Sequence, residues 1–141
     1  MDCFGCKLAN KEEAVHVIFE DDYVSCILDH KPYSEGHVLI MPKRHIRYFD
    51  EFDEHTAKSL MKASGIMTKA IKKLFNPEGI TVCQNGGDFD ELTHFHMHIV
   101  PRYKGQNFAE FFTEYGDANI EAENKLAETK RKLIDTIKGL D

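Results

Sequence analysis

Three histidines at alternate positions, His94-Phe95-His96-Met97-His98-Ile99, constrain this chain more than any other feature. A strand sends successive side chains to opposite faces, so the run has one imidazole face and one apolar face. Phe95, Met97 and Ile99 are expected to pack on a core, and the histidines to face a cleft or solvent. A solvated strand face that happens to be rich in histidine is the bland reading. Two chemistries suit the row better. Histidines at i and i+2 can ligate one metal and leave a position open for activated water. Alternatively, one neutral imidazole attacks an electrophile while its neighbours carry protons. Imidazole suits phosphorus, because it is nucleophilic near neutral pH and leaves well from a phosphorylated intermediate.

The surroundings favour phosphate. Gly36-His37 opens the apolar run Val38-Leu39-Ile40-Met41, and Lys43-Arg44-His45 follows it. Arg102 follows the histidine strand after Pro101, and Asn85-Gly86-Gly87 is a flexible turn that can offer N–H groups to an anion. Surface solvation is the ordinary fate of residues such as Lys43 and Arg44.

The rest of the pattern predicts α+β with a largely antiparallel sheet. Residues 15–20 and 23–29 are β-rich runs split by Asp21-Asp22, a hairpin signal. Residues 38–41 read as a strand buried on both faces. Asp53 can cap a helix running to about Phe75, with Ala57, Leu60, Met61, Met67, Ile71 and Leu74 at helical spacing, ended by Asn76-Pro77. Ile80–Cys83 is a further strand, Asp88 to Leu92 a polar loop, and His94 to Val100 a strand stopped by Pro101. From about Ala118 to residue 138 an amphipathic helix carries Leu126, Leu133, Ile134 and Ile137 on one side.

Composition sets the outer limits. One domain over 1–141 is the default for 141 residues. A net charge of -6 argues against nucleic-acid binding or a polybasic membrane tether, and 42% hydrophobic residues suffice for a core. No apolar run is long enough for a membrane span, and the N-terminal residues lack a signal-peptide pattern, so the cytoplasm is the expected compartment. Four cysteines suit a reducing environment.

The segment His94–Val100 resembles the His-x-His-x-His plus two apolar residues that name the histidine-triad (HIT) family. Residues 36–45 resemble that family's second block, and Pro101-Arg102 its common continuation. The resemblance runs from about Cys3 to Arg102. It implies a HIT-like fold: a five-stranded antiparallel sheet with a long central helix and a C-terminal helix, paired into a homodimer. It also implies a nucleotide hydrolase or nucleotidyl transferase working through a covalent nucleotidyl-histidine. By the same resemblance His96 is the nucleophile, and His98 and His37 orient phosphate and handle protons. Asp29 binds the ribose hydroxyls, which a carboxylate can accept from. Asn85 matches the Asn before the triad. Ile18, Phe19 and Ile27 are candidates for the base pocket, with plain core as the equal alternative. The substrates implied are a purine nucleoside phosphoramidate, an adenylated small molecule or a dinucleoside polyphosphate. A binding module without turnover and a catalytic-zinc hydrolase are the rival readings.

Cys3-Phe4-Gly5-Cys6 has the spacing of a zinc knuckle or a redox pair. A redox pair should open a helix after a strand, and no strand precedes this one. A subset of HIT proteins pairs such cysteines with two histidines. The resemblance then makes residues 1–10 a zinc-binding segment, with Cys3, Cys6, His45 and His94 holding a structural zinc and His94 serving as a spacer. Free thiols remain the alternative. Cys26 and Cys83 read as core. His16, His30 and His55 belong to no constellation and read as surface or structural. Phe108, Phe111 and Phe112 read as core or dimer contact, or as a wall of the cleft. The chain departs from the family before the triad, where Asp90-Glu91-Leu92-Thr93 stands in place of a Gly-Gln-Ser segment. An ionised carboxylate there cannot donate to phosphate and repels it. Either Asp90 and Glu91 point away and Thr93 or backbone N–H groups take over, or the preferred substrate is less negative; a solvated loop with altered alignment is the equal alternative.

Overall fold

The computed structural model describes residues 2–113 and 120–140, without the side chains of Phe112 and Thr113. Its elements are α1 (Phe4–Ala9), β1 (Val17–Glu20), β2 (Val24–Leu28), β3 (Val38–Pro42), α2 (Glu54–Phe75), β4 (Gly79–Cys83), β5 (Met97–Arg102), α3 (Ala109–Thr113) and α4 (Glu123–Lys138). The strands form one sheet in the order β1-β2-β3-β5-β4, and every neighbouring pair is antiparallel.

Local chemistry accounts for the boundaries. Asp21 closes the first hairpin by accepting from the backbone N–H groups of Tyr23 and Val24 at 2.8 and 2.9 Å. Asp53 caps α2, with its Oδ2 accepting from Thr56 N at 3.2 Å and its Oδ1 from Thr56 Oγ1 at 2.6 Å. Asn76 ends α2 in the left-handed region, at φ 48°.

The core lies between one sheet face and helices α2 and α4. Val24, Cys26, Val38, Ile40, Phe95 and Ile99 meet Leu60, Met67, Leu126 and Leu133 there. A fully buried Leu or Met contributes about 1.5–3 kcal/mol. Met61 is left 75% exposed, because it sits about a quarter turn from the Leu60–Met67–Ile71 stripe. Ile27, Leu39 and Met41 point to the opposite face, where Ala9 and Leu8 of α1 cover them. Short α1 and α3 are elements the periodicity does not reveal.

Both limits of β5 differ from expectation. β5 spans Met97 to Arg102, so His94–His96 form an extended lead-in, held by Phe95 N donating to Ile46 O at 2.6 Å. The last pairings are Ile40 with Met97 and Cys83 with His98, so beyond them the neighbouring strands no longer follow. At the other end Pro101 stays inside the strand. Its carbonyl accepts from Ser34 Oγ at 2.7 Å on the side where β3 has not yet begun, so the missing N–H breaks no ladder bond. The helix expected from about Ala118 begins at Glu123, and Ala118 itself lies outside the described residues.

Candidate active site

The lead-in keeps the alternation of a strand. Phe95 is buried in the core between the rings of Phe49 and Phe52, at centroid distances of 4.9 and 4.8 Å. His94, His96 and His98 take the other face, where all three are buried.

His94 belongs to a different cluster from its two neighbours. Its Nδ1 lies 3.6 Å from Cys3 Sγ and 3.4 Å from Cys6 Sγ, and His45 Nδ1 lies 3.3 Å from Cys6 Sγ. The four ligand atoms fall within 4.8 Å of one another. A tetrahedron with Zn–S of about 2.3 Å and Zn–N of about 2.0 Å has S–N edges of roughly 3.5 Å, so the donor set fits a bound metal. His94 Nε2 donates to the Pro42 carbonyl at 2.8 Å, which leaves the Nδ1 lone pair for the cluster. Burial and the adjacent Cys3 push the Cys6 thiol up to about 11, and a bound cation would supply the charge that favours thiolates. Cys3 caps α1, its Sγ accepting from Cys6 N at 3.3 Å. Gly5 is required on that turn, because a Cβ there would come within 2.2 Å of His94 Cβ.

His96 and His98 stand beside His37. His96 Nδ1 donates to the His94 carbonyl at 2.9 Å. The neutral ring therefore keeps its lone pair on Nε2. Tyr33 N donates to His37 Nδ1 at 3.0 Å, so a neutral His37 carries its proton on Nε2, 2.9 Å from His98 Nδ1. That order of bonds leaves the His98 proton on Nε2. Asp29 Oδ2 lies 3.6 Å from His37 Nε2. Burial pushes His37 down to about 3, helped by His96. Burial, then His37 and His96, push His98 down to about 3, against the opposing pull of Asp29. Phe111 packs on both rings, with centroids 5.1 Å from His98 and 5.8 Å from His37. Its neighbour Phe112 lies outside the described side chains.

A cavity of about 360 Å³ opens beside these rings, lined by His96, His98, Asp29, Ile27 and Leu39 among others. Ile18 and Phe19 do not line it. A bulge between Val17 and Phe19 leaves Ile18 in the core with Phe19 packed against it. Asn85 follows β4, two residues beyond the Cys83–His98 pairing, and its carbonyl accepts from Gln84 Nε2 at 2.6 Å. The two loop carboxylates part company: Glu91 lines the cavity, while Asp90 is buried away from it. Arg102 serves the other end of β5, donating to Thr81 Oγ1 at 2.8 Å and lying 3.8 Å over the Phe108 ring.

Sequence reasoning missed Leu39 and gave His16 and His30 no site, yet all three line the cavity. Leu39 was recoverable in principle, since it pairs directly with Ile27 across β2 and β3 and shares its face. His16 and His30 are brought there by α4, whose first turn places Glu123 against His16 and whose approach donates Glu121 N to His30 O at 2.8 Å. No local pattern announces a contact so distant in the chain.

Comparison with known proteins agrees with this geometry. The HIT domain family matches residues 10–105. An uncharacterized HIT-like protein of Methanocaldococcus jannaschii is 33% identical over 130 residues, 91% of this chain and 98% of its own. The adenylylsulfatase HINT3 of Arabidopsis thaliana is 32% identical over 103 residues, 72% of this chain and 52% of its own. The crystal structure of a hypothetical histidine triad nucleotide-binding protein from Sulfolobus tokodaii superposes with a TM-score of 0.83 at 26% identity, covering 98% of this chain and 93% of that one.

Proposed function

Because this chain belongs to the HIT family, we propose that it is a nucleotide hydrolase or nucleotidyl transferase acting at the α-phosphorus of a purine nucleotide. The supporting observation is the commitment of His96 Nδ1 to the His94 carbonyl at 2.9 Å. That bond selects the tautomer whose Nε2 is a nucleophile on the cavity side. The Nε2 lone pair forms a bond to phosphorus as the bond to the leaving group breaks. The leaving group takes the electron pair and a proton from solvent. Water then attacks phosphorus, the electron pair returns to Nε2, and the proton of water passes to solvent. His98, with its proton on Nε2 and kept neutral by its burial, is a hydrogen-bond donor to the phosphoryl group and its leaving atom. His37 holds His98 in that tautomer.

Asp29 takes the ribose hydroxyls, and Ile27 with Leu39 forms the apolar bed for the base. The substrate is a phosphoramidate, an adenylated small molecule or a dinucleoside polyphosphate, in line with the adenylylsulfatase name of one relative. Cys3, Cys6, His45 and His94 hold a structural zinc; four protein ligands leave no place for a reacting water, which disfavours zinc catalysis at that cluster. The proposal includes a single domain acting as a homodimer in the cytoplasm. No helix of the described residues is long and apolar enough to cross a membrane.

A hydrolysis screen tests the reading. It compares an adenosine phosphoramidate, an adenylyl sulfate and diadenosine polyphosphates, each with and without His96→Ala. Turnover of one class that vanishes in the variant is the expected result. A variant that retains a tenth of the wild-type rate overturns the covalent mechanism.

A further inference from the structure

The loop ahead of the histidines carries a carboxylate in an unusual place. Asp90 is 5% exposed, is not among the residues that line the cavity, and lies beside His96. Its Oδ1 is 3.4 Å from His96 Nδ1 and accepts from Leu92 N at 2.9 Å. Its Oδ2 is buried without a hydrogen-bond partner among the described residues. A buried carboxylate oxygen without a protein partner is costly and calls for a physical reason.

The loop is also bent to deliver this residue. Gly87 sits at φ +70°, where a Cβ would come within 2.6 Å of the Tyr48 hydroxyl, and Arg47 Nη2 donates to the Gly87 carbonyl at 3.2 Å. Thr93 has φ +52°, a conformation costly for a β-branched residue. Two constrained positions thus bracket Asp90, one on each side. Glu91, one residue on, faces the cavity instead, so the loop separates two neighbouring carboxylates by role.

We propose that Asp90 is a positioning residue that stabilises the positive charge arising on His96 during nucleotidyl transfer, a role that rests on the reading of His96 as the nucleophile. When the neutral ring attacks through Nε2 and keeps its Nδ1 proton, the product is a nucleotidyl-imidazolium. The His94 carbonyl orients that proton but carries no net charge. Asp90 supplies the counter-charge beside the same nitrogen. It touches neither phosphate nor leaving group, and so acts on the rate of forming the intermediate rather than on nucleotide affinity.

Asparagine separates charge from shape. Asp90→Asn keeps an oxygen for Leu92 N, whereas Asp90→Ala loses that bond as well. The experiment measures formation of nucleotidyl-enzyme in single-turnover quench with an adenosine phosphoramidate, together with the Kd for AMP and the Tm. The expected result is a ten- to hundredfold slower formation in both variants, the span of one charge-assisted hydrogen bond. The Kd for AMP stays within threefold, and Asp90→Ala has the lower Tm. Wild-type protein gives a second readout that needs no variant at this position. The His96 Nδ1 proton, assigned by its loss in His96→Ala, should move downfield when the nucleotidyl-enzyme forms. A wild-type chain that forms no covalent nucleotide overturns the reading of the site and this inference with it. A wild-type intermediate that Asp90→Asn forms within twofold of the normal rate overturns this inference alone, as does slowing confined to Asp90→Ala.

Discussion

His94 holds His96 through its backbone while its own ring turns to the cysteines: the carbonyl lies 2.9 Å from His96 Nδ1, and His94 Nδ1 lies 3.4 Å from Cys6 Sγ. One residue therefore belongs to two sites at once, by different atoms. The Cys3–Cys6–His45–His94 cluster and the His96–His98 row are thus mechanically joined, although they share no side chain.

His96→Ala should abolish turnover yet leave nucleotide affinity within about tenfold, because the lost interaction forms mainly on the way to the transition state. Steady-state rates and equilibrium binding of AMP check both halves. Affinity lost together with rate would mean that His96 is a binding residue.

Elemental analysis should find about one zinc per chain, from four ligands that fit a tetrahedral site. Cys6→Ser should lower Tm by more than it lowers kcat, since metal binding is coupled to folding. Purified protein free of metal, with both thiols fully titratable, would remove the zinc from the proposal.

Stability should fall on acidification, from about pH 6.5 toward pH 3. His37 and His98 are held to about 3 in the folded chain against an ordinary value of 6.5. Between those limits the unfolded chain binds more protons, so stability is complete above the ordinary value and is lost as pH falls. The slope is up to about 1.4 kcal/mol per pH unit for each ring. Urea unfolding at pH 7, 6 and 5 measures it, before most carboxylates titrate. A midpoint flat across that range would contradict neutral burial of the pair.

Glu91 lines the cavity with His96 and His98, so its charge should disfavour polyphosphate relative to phosphoramidate. Glu91→Gln should narrow the gap between those substrates by about 1 kcal/mol, the effect of one partly exposed charge. Equal rate ratios in wild type and variant would show that the loop does not read charge.

The sequence was most legible where one period decided the answer. The His94–Ile99 alternation foretold which side chains meet the core, and the Asp53 cap and Asn76-Pro77 stop foretold α2 to the residue. The four candidate metal ligands, named from a resemblance, do converge. What stayed hidden depended on register and long-range packing. Ile18 has the composition of a pocket residue, but the bulge beside it assigns it to the helix side of the sheet. The opposite fates of Asp90 and Glu91 depend on a turn in which Thr93 takes a left-handed conformation that its residue type disfavours. Phe111 reaches His98 through a short helix with no strong periodic signal.

The two-faced histidine run also limits how this segment can vary. Side chains that alternate between core and cleft behave like a reading frame. Inserting or deleting one residue between Phe95 and His98 would carry imidazoles into the space between β5 and α2 and send Phe95 or Met97 out beside the cavity. Fold and chemistry would fail in the same step. The segment can therefore be altered by exchange of one side chain for another, whereas a single-residue change of length has to fall outside it.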